Sequence, residues 1–192
     1  MLVVNRTLVI IDIQNDYFPG GRMELHESIA ATEQAAQVLA YFRTADWPIV
    51  HVRHVATEAD ATFFLPDTAG AEIHPLVAPA PDERVITKHS PNAFLDTDLK
   101  AQLDKLGASE LVIVGMMTHM CVDSTTRAAS DAGLDCVVVG DACATRAQHF
   151  AGVDVDAPSV QAAFLSALSG TFATVTTTEK LIATLANAVP SN

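Results

Sequence analysis

The chain is short of cysteine, and this shortage excludes a fold stabilised by disulfide bonds. Its 192 residues include three cysteines, Cys121, Cys136 and Cys143, without any CxxC pair. An odd number of widely spaced cysteines does not form a disulfide framework and is typical of a reducing compartment. The N-terminus also lacks the layout of a signal peptide, so the sequence predicts a cytoplasmic protein.

Basic residues and long apolar runs are scarce as well. Only 11 Lys and Arg residues stand against 23 Asp and Glu residues, which gives a formal net charge of −12. Such an acidic chain is poorly suited to bind nucleic acid or an anionic membrane surface. No apolar run approaches the roughly 18 residues that a transmembrane helix needs. We therefore expect neither nucleic acid nor a membrane as a partner.

Apolar residues, by contrast, make up 49% of the chain and allow a large core. A chain of this length suits one domain, which we take to span residues 1–192. Apolar runs typical of buried strands occupy 7–13, 49–55, 84–87, 111–114, 136–139 and 172–175. Helical patterns occupy 29–45, 98–106, 122–132, 159–168 and 179–188, the last with Thr176 and Glu179 spaced as a capping box. This alternation predicts an α/β fold with a mostly parallel sheet of about six strands.

Three reactive side chains fall at the C-terminal ends of predicted strands. Asp12 closes the first strand, Lys88 follows the strand at 84–87, and Cys121 follows the strand at 111–114. Sites in open parallel sheets lie beyond these strand ends, so we expect the three side chains to share one crevice. There the cysteine would be a nucleophile, the carboxylate would move its proton, and the lysine would stabilise both negative charges. We also expect a helix start near Cys121 to lower the pKa of its thiol.

Three motifs in this order resemble the isochorismatase-like cysteine hydrolases, a family that includes nicotinamidases. They are IDIQNDYF with Asp12, TKHSPNAF with Lys88, and VGMMTHMCVDSTTRAASDAG with Cys121. The resemblance implies a Rossmann-like three-layer sandwich and an Asp12–Lys88–Cys121 catalytic triad. It also implies a non-proline cis peptide bond between Met116 and Met117, with the backbone N–H groups of Met117 and Cys121 forming an oxyanion hole.

The same resemblance separates three possible reactions. Isochorismatases of the family cleave a vinyl ether and often have glycine where this chain has Cys121. Nicotinamidases bind a metal through one Asp and several His after the second strand, whereas this chain offers His51, His54, His74 and His89 without an Asp-x-His pair. We therefore predict hydrolysis of a carbon–nitrogen bond in a small amide-type molecule, through a thioester and without metal or cofactor. Vinyl ether hydrolysis and nicotinamidase activity stay open as alternatives.

Candidate substrate-binding residues flank the motifs or carry aromatic rings. Such rings can pack against a flat ligand in a crevice, although ordinary core packing is the alternative for each of them. Members of the family commonly form dimers or tetramers, so we also expect a homo-oligomer. The candidates are Gln14, Phe18, Phe63, Phe64, Phe94, Met117 and His119.

Two functions other than hydrolysis also stay open. A nucleotide-binding module is disfavoured because no GxGxxG follows Asp12 and no GxxxxGK[ST] loop occurs. A thiol redox protein would use Cys121, which has no resolving cysteine nearby in sequence, although Cys143 could approach it in space. Selective alkylation of Cys121 would favour the hydrolase, and a reversible Cys121–Cys143 bond under peroxide would favour the redox protein.

Overall fold

The fold is built on a parallel sheet with helices on both faces, seen in a computed structural model that describes residues 4–188. Six strands form this sheet in the order β3-β2-β1-β4-β5-β8, and every neighbouring pair within the described residues is parallel. The predicted α/β class and six-stranded sheet are thereby confirmed. The strands are β1 (Arg6–Ile11), β2 (Ile49–His54), β3 (Arg84–Lys88), β4 (Glu110–Met116), β5 (Asp135–Ala144), β6 (Gln148–Phe150), β7 (Val153–Val155) and β8 (Thr174–Thr176).

The helices fall between the strands, as the sequence pattern predicts. The buried residues of α1 from Ala31 to Phe42 recur at spacings of three and four, as in a helix packed along a single face. Short 3₁₀ turns at Asn15–Tyr17, Ala69–Ala71 and Pro75–Val77 complete the loops at the C-terminal edge of the sheet and around it. The helices are α1 (Ser28–Thr44), α2 (Leu99–Lys105), α3 (Asp123–Asp131), α4 (Ala157–Leu168) and α5 (Thr178–Ala188).

The core has one layer on each face of the sheet. Leu8 and Ile10 of β1 pack with residues of α1 and α5, whereas Val9 and Ile11 pack with residues of α2, α3 and α4. Successive side chains of a strand point to opposite faces, so both faces need apolar residues. This is why the strands have continuous apolar runs rather than an alternating pattern. None of the helices within residues 4–188 has the length and apolar character of a membrane span.

Three details differ from the sequence-based predictions. β5 continues through Cys143 to Ala144, so Cys143 lies in a strand and not in a loop. Thr176 is the last residue of β8, so the capping box predicted there is wrong; the N–H of Lys180 instead contacts Oγ1 of Thr177 at 3.4 Å. The antiparallel hairpin β6–β7 was not predicted, because two strands of three residues give almost no periodic signal.

Gly115 allows β4 to approach β1 directly beneath the predicted crevice. Its φ of 137° is a conformation that side chains disfavour, and a Cβ atom there would overlap the carbonyl oxygen of Ile11. The pairing of β4 with β5 also shifts register between Ile113 and Gly115. The glycine therefore fixes where β4 leaves the regular sheet, just before the turn that carries Cys121.

Candidate active site

Three strand ends bring the predicted reactive side chains to one edge of the sheet. β1 lies between β2 and β4, so the crevice beyond its C-terminal end is a point where strand order reverses. Asp12 is the residue after β1, Lys88 is the last residue of β3, and Cys121 lies in the turn after β4. The backbone of Asp12 is left-handed, with φ 50°, which bends the chain as soon as the strand ends.

The three side chains meet around the ammonium group of Lys88. Its Nζ lies 2.7 Å from Oδ2 of Asp12 and 3.3 Å from Sγ of Cys121. Asp12 and Lys88 are fully buried, and Cys121 is 5% exposed. The contact between Lys88 and Asp12 is an ion pair without the geometry of a hydrogen bond. Within residues 4–188, neither carboxylate oxygen of Asp12 accepts a hydrogen bond. The carboxylate is therefore available to exchange a proton inside the crevice.

Cys121 lies in a π-helical turn, Thr118–Val122, that connects β4 to α3. The backbone N–H groups of Met120 and Val122 both donate to the carbonyl oxygen of Met117, at 3.0 and 3.2 Å. The sequence pattern placed the helix start at Val122, so helical geometry begins one turn earlier than predicted. π-helical turns are rare in proteins, and those that do occur are often at functional sites.

The electrostatics of this site correct one prediction. Burial, followed by the negative charge of Asp12, raises the pKa of the Cys121 thiol to about 12, although Lys88 lowers it. The expected lowering of the thiol pKa by a helix start is therefore wrong. Burial lowers the pKa of Lys88, but Asp12 and Cys121 outweigh it and raise the pKa overall. At neutral pH the site thus holds a charged lysine and a neutral thiol that needs a base.

The turn before Cys121 contains the backbone feature that the resemblance implied. The peptide bond between Met116 and Met117 is cis, although neither residue is proline. Oγ1 of Thr118 donates to the carbonyl oxygen of Ala144 at 3.2 Å, which ties this turn to the end of β5. The role of the Met117 and Cys121 N–H groups as an oxyanion hole stays a prediction.

Comparison with known proteins identifies the family. The family model described as the isochorismatase domain matches residues 6–180. The chain belongs to the isochorismatase family. It is 47% identical to the isochorismatase family protein YddQ of Bacillus subtilis, over 91% of this chain and 97% of that protein.

Two further comparisons describe this isochorismatase-family chain. It is similar to a streptothricin hydrolase of Streptomyces noursei, with 34% identity over 73% of this chain and 50% of that protein. Its fold matches the crystal structure of an Oleispira antarctica protein assigned to the isochorismatase hydrolases, with a TM-score of 0.91 and 50% identity. That match covers 95% of this chain and 99% of the other. The predicted resemblance and the enzyme class, a hydrolase, are thereby confirmed.

The aromatic candidates fall into two groups within the family fold. Phe18 is buried and stacks on the ring of His74, with centroids 3.8 Å apart. Phe63 and Phe64 contact each other at 4.9 Å, and Phe64 contacts the ring of Tyr17 at 4.6 Å. Phe64 is almost fully buried, whereas half-buried Phe63 lines a cleft of about 250 Å³ together with His54. Of the aromatic pair, Phe63 is thus the one that a ligand in this cleft could contact.

Phe94 and His119 have partners other than these aromatic rings. Phe94 is half-buried and packs against the core cluster that contains Cys121. His119 is buried, and its Nδ1 shares a 2.5 Å hydrogen bond with Oγ1 of Thr145 at the end of β5. Burial, followed by the charge of Arg146, lowers the pKa of His119, so its ring is neutral at neutral pH.

The side chain of Gln14, a candidate for orienting the substrate or a neighbouring residue, binds backbone groups. Its amide group donates to the carbonyl oxygens of His54 and Ala71, both at 2.8 Å, and accepts the N–H of His54 at 2.7 Å. Backbone groups therefore occupy both amide hydrogens and the oxygen. We assign to Gln14 the positioning of His54 rather than direct contact with substrate.

The histidines considered as metal ligands point to separate partners. His51 contacts Glu83 at 2.8 Å, His54 contacts Lys88, and Nδ1 of His89 lies 2.7 Å from the carbonyl oxygen of Val55. His74 is stacked on a phenylalanine ring, as described above. Within residues 4–188 there is no group of three or more His, Cys, Asp or Glu side chains arranged to hold a metal ion. The side chains present do not fit the metal site of nicotinamidases.

Sequence reasoning missed two neighbours of the triad and misjudged a third residue. Tyr17 is buried in the same core cluster as Met117, and burial raises its pKa well above the usual value. His54 was considered only as a metal ligand. Asp16, interpreted as a loop residue, is buried and accepts the N–H of Phe64 at 2.7 Å. The signal for Tyr17 and Asp16 was their place in the IDIQNDYF motif.

Proposed function

We propose that the chain is a cysteine amidohydrolase that cleaves a carbon–nitrogen bond of a small molecule through a thioester. The observation that carries the proposal is the position of Lys88 Nζ, 2.7 Å from Asp12 Oδ2 and 3.3 Å from Cys121 Sγ in a buried crevice. A nucleophile, a proton acceptor and a fixed positive charge are the groups that acyl transfer needs. Similarity to a protein named as a streptothricin hydrolase supports hydrolysis of a small molecule.

Acylation begins with the protonated thiol. Asp12 accepts the proton of Cys121, and the sulfur attacks the carbonyl carbon of the amide to give a tetrahedral oxyanion. The backbone N–H groups of Met117 and Cys121 are the proposed donors to that oxyanion. When the carbon–nitrogen bond breaks, the carboxyl of Asp12 returns its proton to the departing nitrogen. The products of this half-reaction are an amine or ammonia and a thioester on Cys121.

Deacylation uses the same groups with water as the nucleophile. Asp12, again a carboxylate, removes a proton from a water molecule that attacks the thioester carbonyl. The second tetrahedral intermediate collapses with release of a carboxylic acid, and the thiol of Cys121 regains its proton from Asp12. Lys88 is positively charged in the resting site, because Asp12 and Cys121 outweigh the effect of burial and raise its pKa.

A neutral buried thiol favours this reaction over cleavage of a vinyl ether. Attack by sulfur needs an electrophilic carbon such as an amide carbonyl, and a vinyl ether offers none. The proposal also includes a small amide-type substrate, a cytoplasmic location, a homo-oligomer of two or four chains and a single domain over residues 1–192.

Substitution of the nucleophile tests the proposal. Purified protein is incubated with a panel of amides that includes nicotinamide, and with isochorismate, while release of ammonia or acid is measured. For an amide that is turned over, we expect Cys121→Ala to lower kcat/KM by at least about 1,000-fold. Added hydroxylamine should trap the acyl group of the thioester as a hydroxamate.

Cys136→Ala is the matched control, because Cys136 is also buried but lies at the N-terminal end of β5, where its thiol contacts the carbonyl oxygen of Thr126. This variant should keep the wild-type rate within a fewfold. Full amide hydrolysis by Cys121→Ala would refute the mechanism. Cleavage of isochorismate that survives the same substitution would favour the vinyl ether reaction.

A further inference from the structure

A fourth side chain, His54, contacts the ammonium group of Lys88. Its Nδ1 lies 3.1 Å from Nζ, alongside the Asp12 oxygen at 2.7 Å and the Cys121 sulfur at 3.3 Å. An ammonium has three hydrogens and can only donate, and three acceptor atoms surround this one. Nδ1 of His54 must therefore be the unprotonated ring nitrogen, and a neutral ring then has its hydrogen on Nε2.

Several parts of the fold hold His54 in this place. It is the last residue of β2, and its backbone N–H and carbonyl oxygen are both bound by the amide of Gln14, at 2.7 and 2.8 Å. Its ring lies 6.0 Å from the ring of Phe64, which Asp16 in turn fixes through the N–H of Phe64. The orientation of the imidazole is therefore set by residues of the same IDIQNDYF motif that supplies Asp12.

The charges around His54 agree with a neutral ring. Burial and then the charge of Lys88 lower its pKa, and His89 lowers it further, whereas Asp12 and Glu58 raise it. The net direction is downward, so the ring is neutral at neutral pH. A protonated ring would place a second positive charge 3.1 Å from Nζ and could not accept its hydrogen.

The ring also lines the cleft next to the triad. The cleft has a volume of about 250 Å³ and is formed by His54, Phe63 and the intervening segment 56–62. Because Nδ1 faces the buried Lys88, the N–H bond of Nε2 points away from Lys88. Its hydrogen is thus a donor available at the boundary between the crevice and the cleft.

We propose that His54 is a positioning residue that holds the Lys88 ammonium through Nδ1 and donates its Nε2 hydrogen to the substrate. The inference rests on the proposed amide hydrolysis and narrows the substrate class. The part of the amide that occupies the cleft carries a hydrogen-bond acceptor, such as a second carbonyl oxygen or a ring nitrogen. Gln14 acts through His54 by clamping its backbone.

The tautomer of His54 tests the first half without any substrate. In ¹⁵N-labelled full-length protein at neutral pH, long-range ¹H–¹⁵N correlations should show an unprotonated Nδ1 and a protonated Nε2 for His54. The Lys88→Met variant should lose the signature of a hydrogen-bonded Nδ1. A protonated Nδ1 in the wild type, either as the other tautomer or as an imidazolium ion, would overturn the proposal.

Two substitutions separate the two ring nitrogens. Asparagine places an acceptor close to the position of Nδ1 but has nothing at Nε2, whereas glutamine reaches towards Nε2 and leaves Lys88 without its partner. We expect His54→Asn to keep the rate of Cys121 alkylation by iodoacetamide and to raise KM about tenfold, the worth of one hydrogen bond. We expect His54→Gln to change the alkylation rate and to lower kcat more than it changes KM.

His149→Asn is the control, because His149 is exposed on the hairpin β6–β7, where it contacts Asp154 at 2.7 Å. It should match the wild type in all three measurements. If both His54 variants also match the wild type, the proposal is wrong; if they do not fold, the wild-type tautomer decides. Amide hydrolysis that survives Cys121→Ala would refute the proposed function and leave the tautomer result standing.

Discussion

Removing Lys88 tests how strongly its charge interacts with that of Asp12, its buried partner at the base of the site. Both side chains are fully buried, and Nζ lies 2.7 Å from Oδ2 of Asp12. At an effective dielectric constant of about 20, unit charges at that distance attract by about 6 kcal/mol. Much of this attraction offsets the loss of hydration of the two charges, so the pair itself adds little stability. Loss of one partner, however, leaves the other charge buried without compensation.

We therefore expect Lys88→Met to lower the free energy of unfolding by about 3–5 kcal/mol, and Asp12→Asn to lower it by a similar amount. No aligned hydrogen bond to the Asp12 oxygens exists within residues 4–188 that could compensate. The double variant should be more stable than the sum of the two losses predicts, by about 2 kcal/mol or more. Urea unfolding followed by far-ultraviolet circular dichroism measures all three values.

Arg84 and Asp98 provide the matched control, because they form an ion pair of the same length, 2.7 Å, with side chains that are 55% and 44% exposed. Arg84→Met should cost less than about 1 kcal/mol, because water screens an exposed pair. If the losses of Lys88→Met and Asp12→Asn add to that of the double variant within about 0.5 kcal/mol, the two charges are not coupled and the reasoning fails.

Two further variants test the backbone beneath the site and an ion pair far from it. Gly115→Ala should lower the melting temperature and slow Cys121 alkylation more than Gly133→Ala does. Both glycines have a positive φ, but only at Gly115 does a carbonyl oxygen, that of Ile11, occupy the space of a Cβ atom. Equal effects of the two substitutions would contradict this. Burial raises the pKa of Glu83, but hydrogen bonds from Arg43 and other groups outweigh it and lower this pKa to about 2. The contribution of Glu83 to stability is therefore complete above its usual pKa of 4.5 and is lost as the pH falls through about 2. Urea midpoints measured down to that pH should fall more steeply for the wild type than for Glu83→Gln, and parallel curves would refute it.

The sheet and the meeting of Asp12, Lys88 and Cys121 at one of its edges could be predicted because their signals are local. Burial on both faces makes β1 and β4 apolar throughout, and a parallel sheet gathers its strand ends at one edge. Asp12 and Cys121 then follow from their places just after those strands. Lys88 follows from the same rule, although the structure includes it in β3 rather than after it.

What escaped prediction depends on contacts between distant segments. The thiol pKa of Cys121 is set by how completely neighbouring loops bury it, and the sequence shows only a nearby helix. The role of His54 depends on Gln14, which lies on another strand end and binds both sides of its backbone. A histidine at the end of a strand has no pattern that reveals which side chain its ring will meet.

Proton transfer in the proposed mechanism leaves the net charge of the site unchanged. Before attack the Asp12 carboxylate is negative and the thiol neutral, and afterwards the charge lies on sulfur. Lys88 Nζ lies 2.7 Å from the first group and 3.3 Å from the second, so at a dielectric constant of about 20 it favours the carboxylate by about 1 kcal/mol. Burial, followed by the charge of Asp12, also raises the pKa of the Cys121 thiol to about 12. The thiolate is therefore the minor form of Cys121.

A minor thiolate is nevertheless compatible with ordinary turnover. A rate of about 10 s⁻¹ corresponds to a barrier of about 16 kcal/mol, which is shared between formation of the thiolate and attack on the carbonyl. Acceptor atoms of Asp12, Cys121 and His54 already lie within 3.3 Å of Lys88 Nζ, so the proposal does not assign the new oxyanion to Lys88. The stabilisation must come from donors that have no such commitment, which is why the proposal assigns it to the backbone N–H groups of the turn before α3.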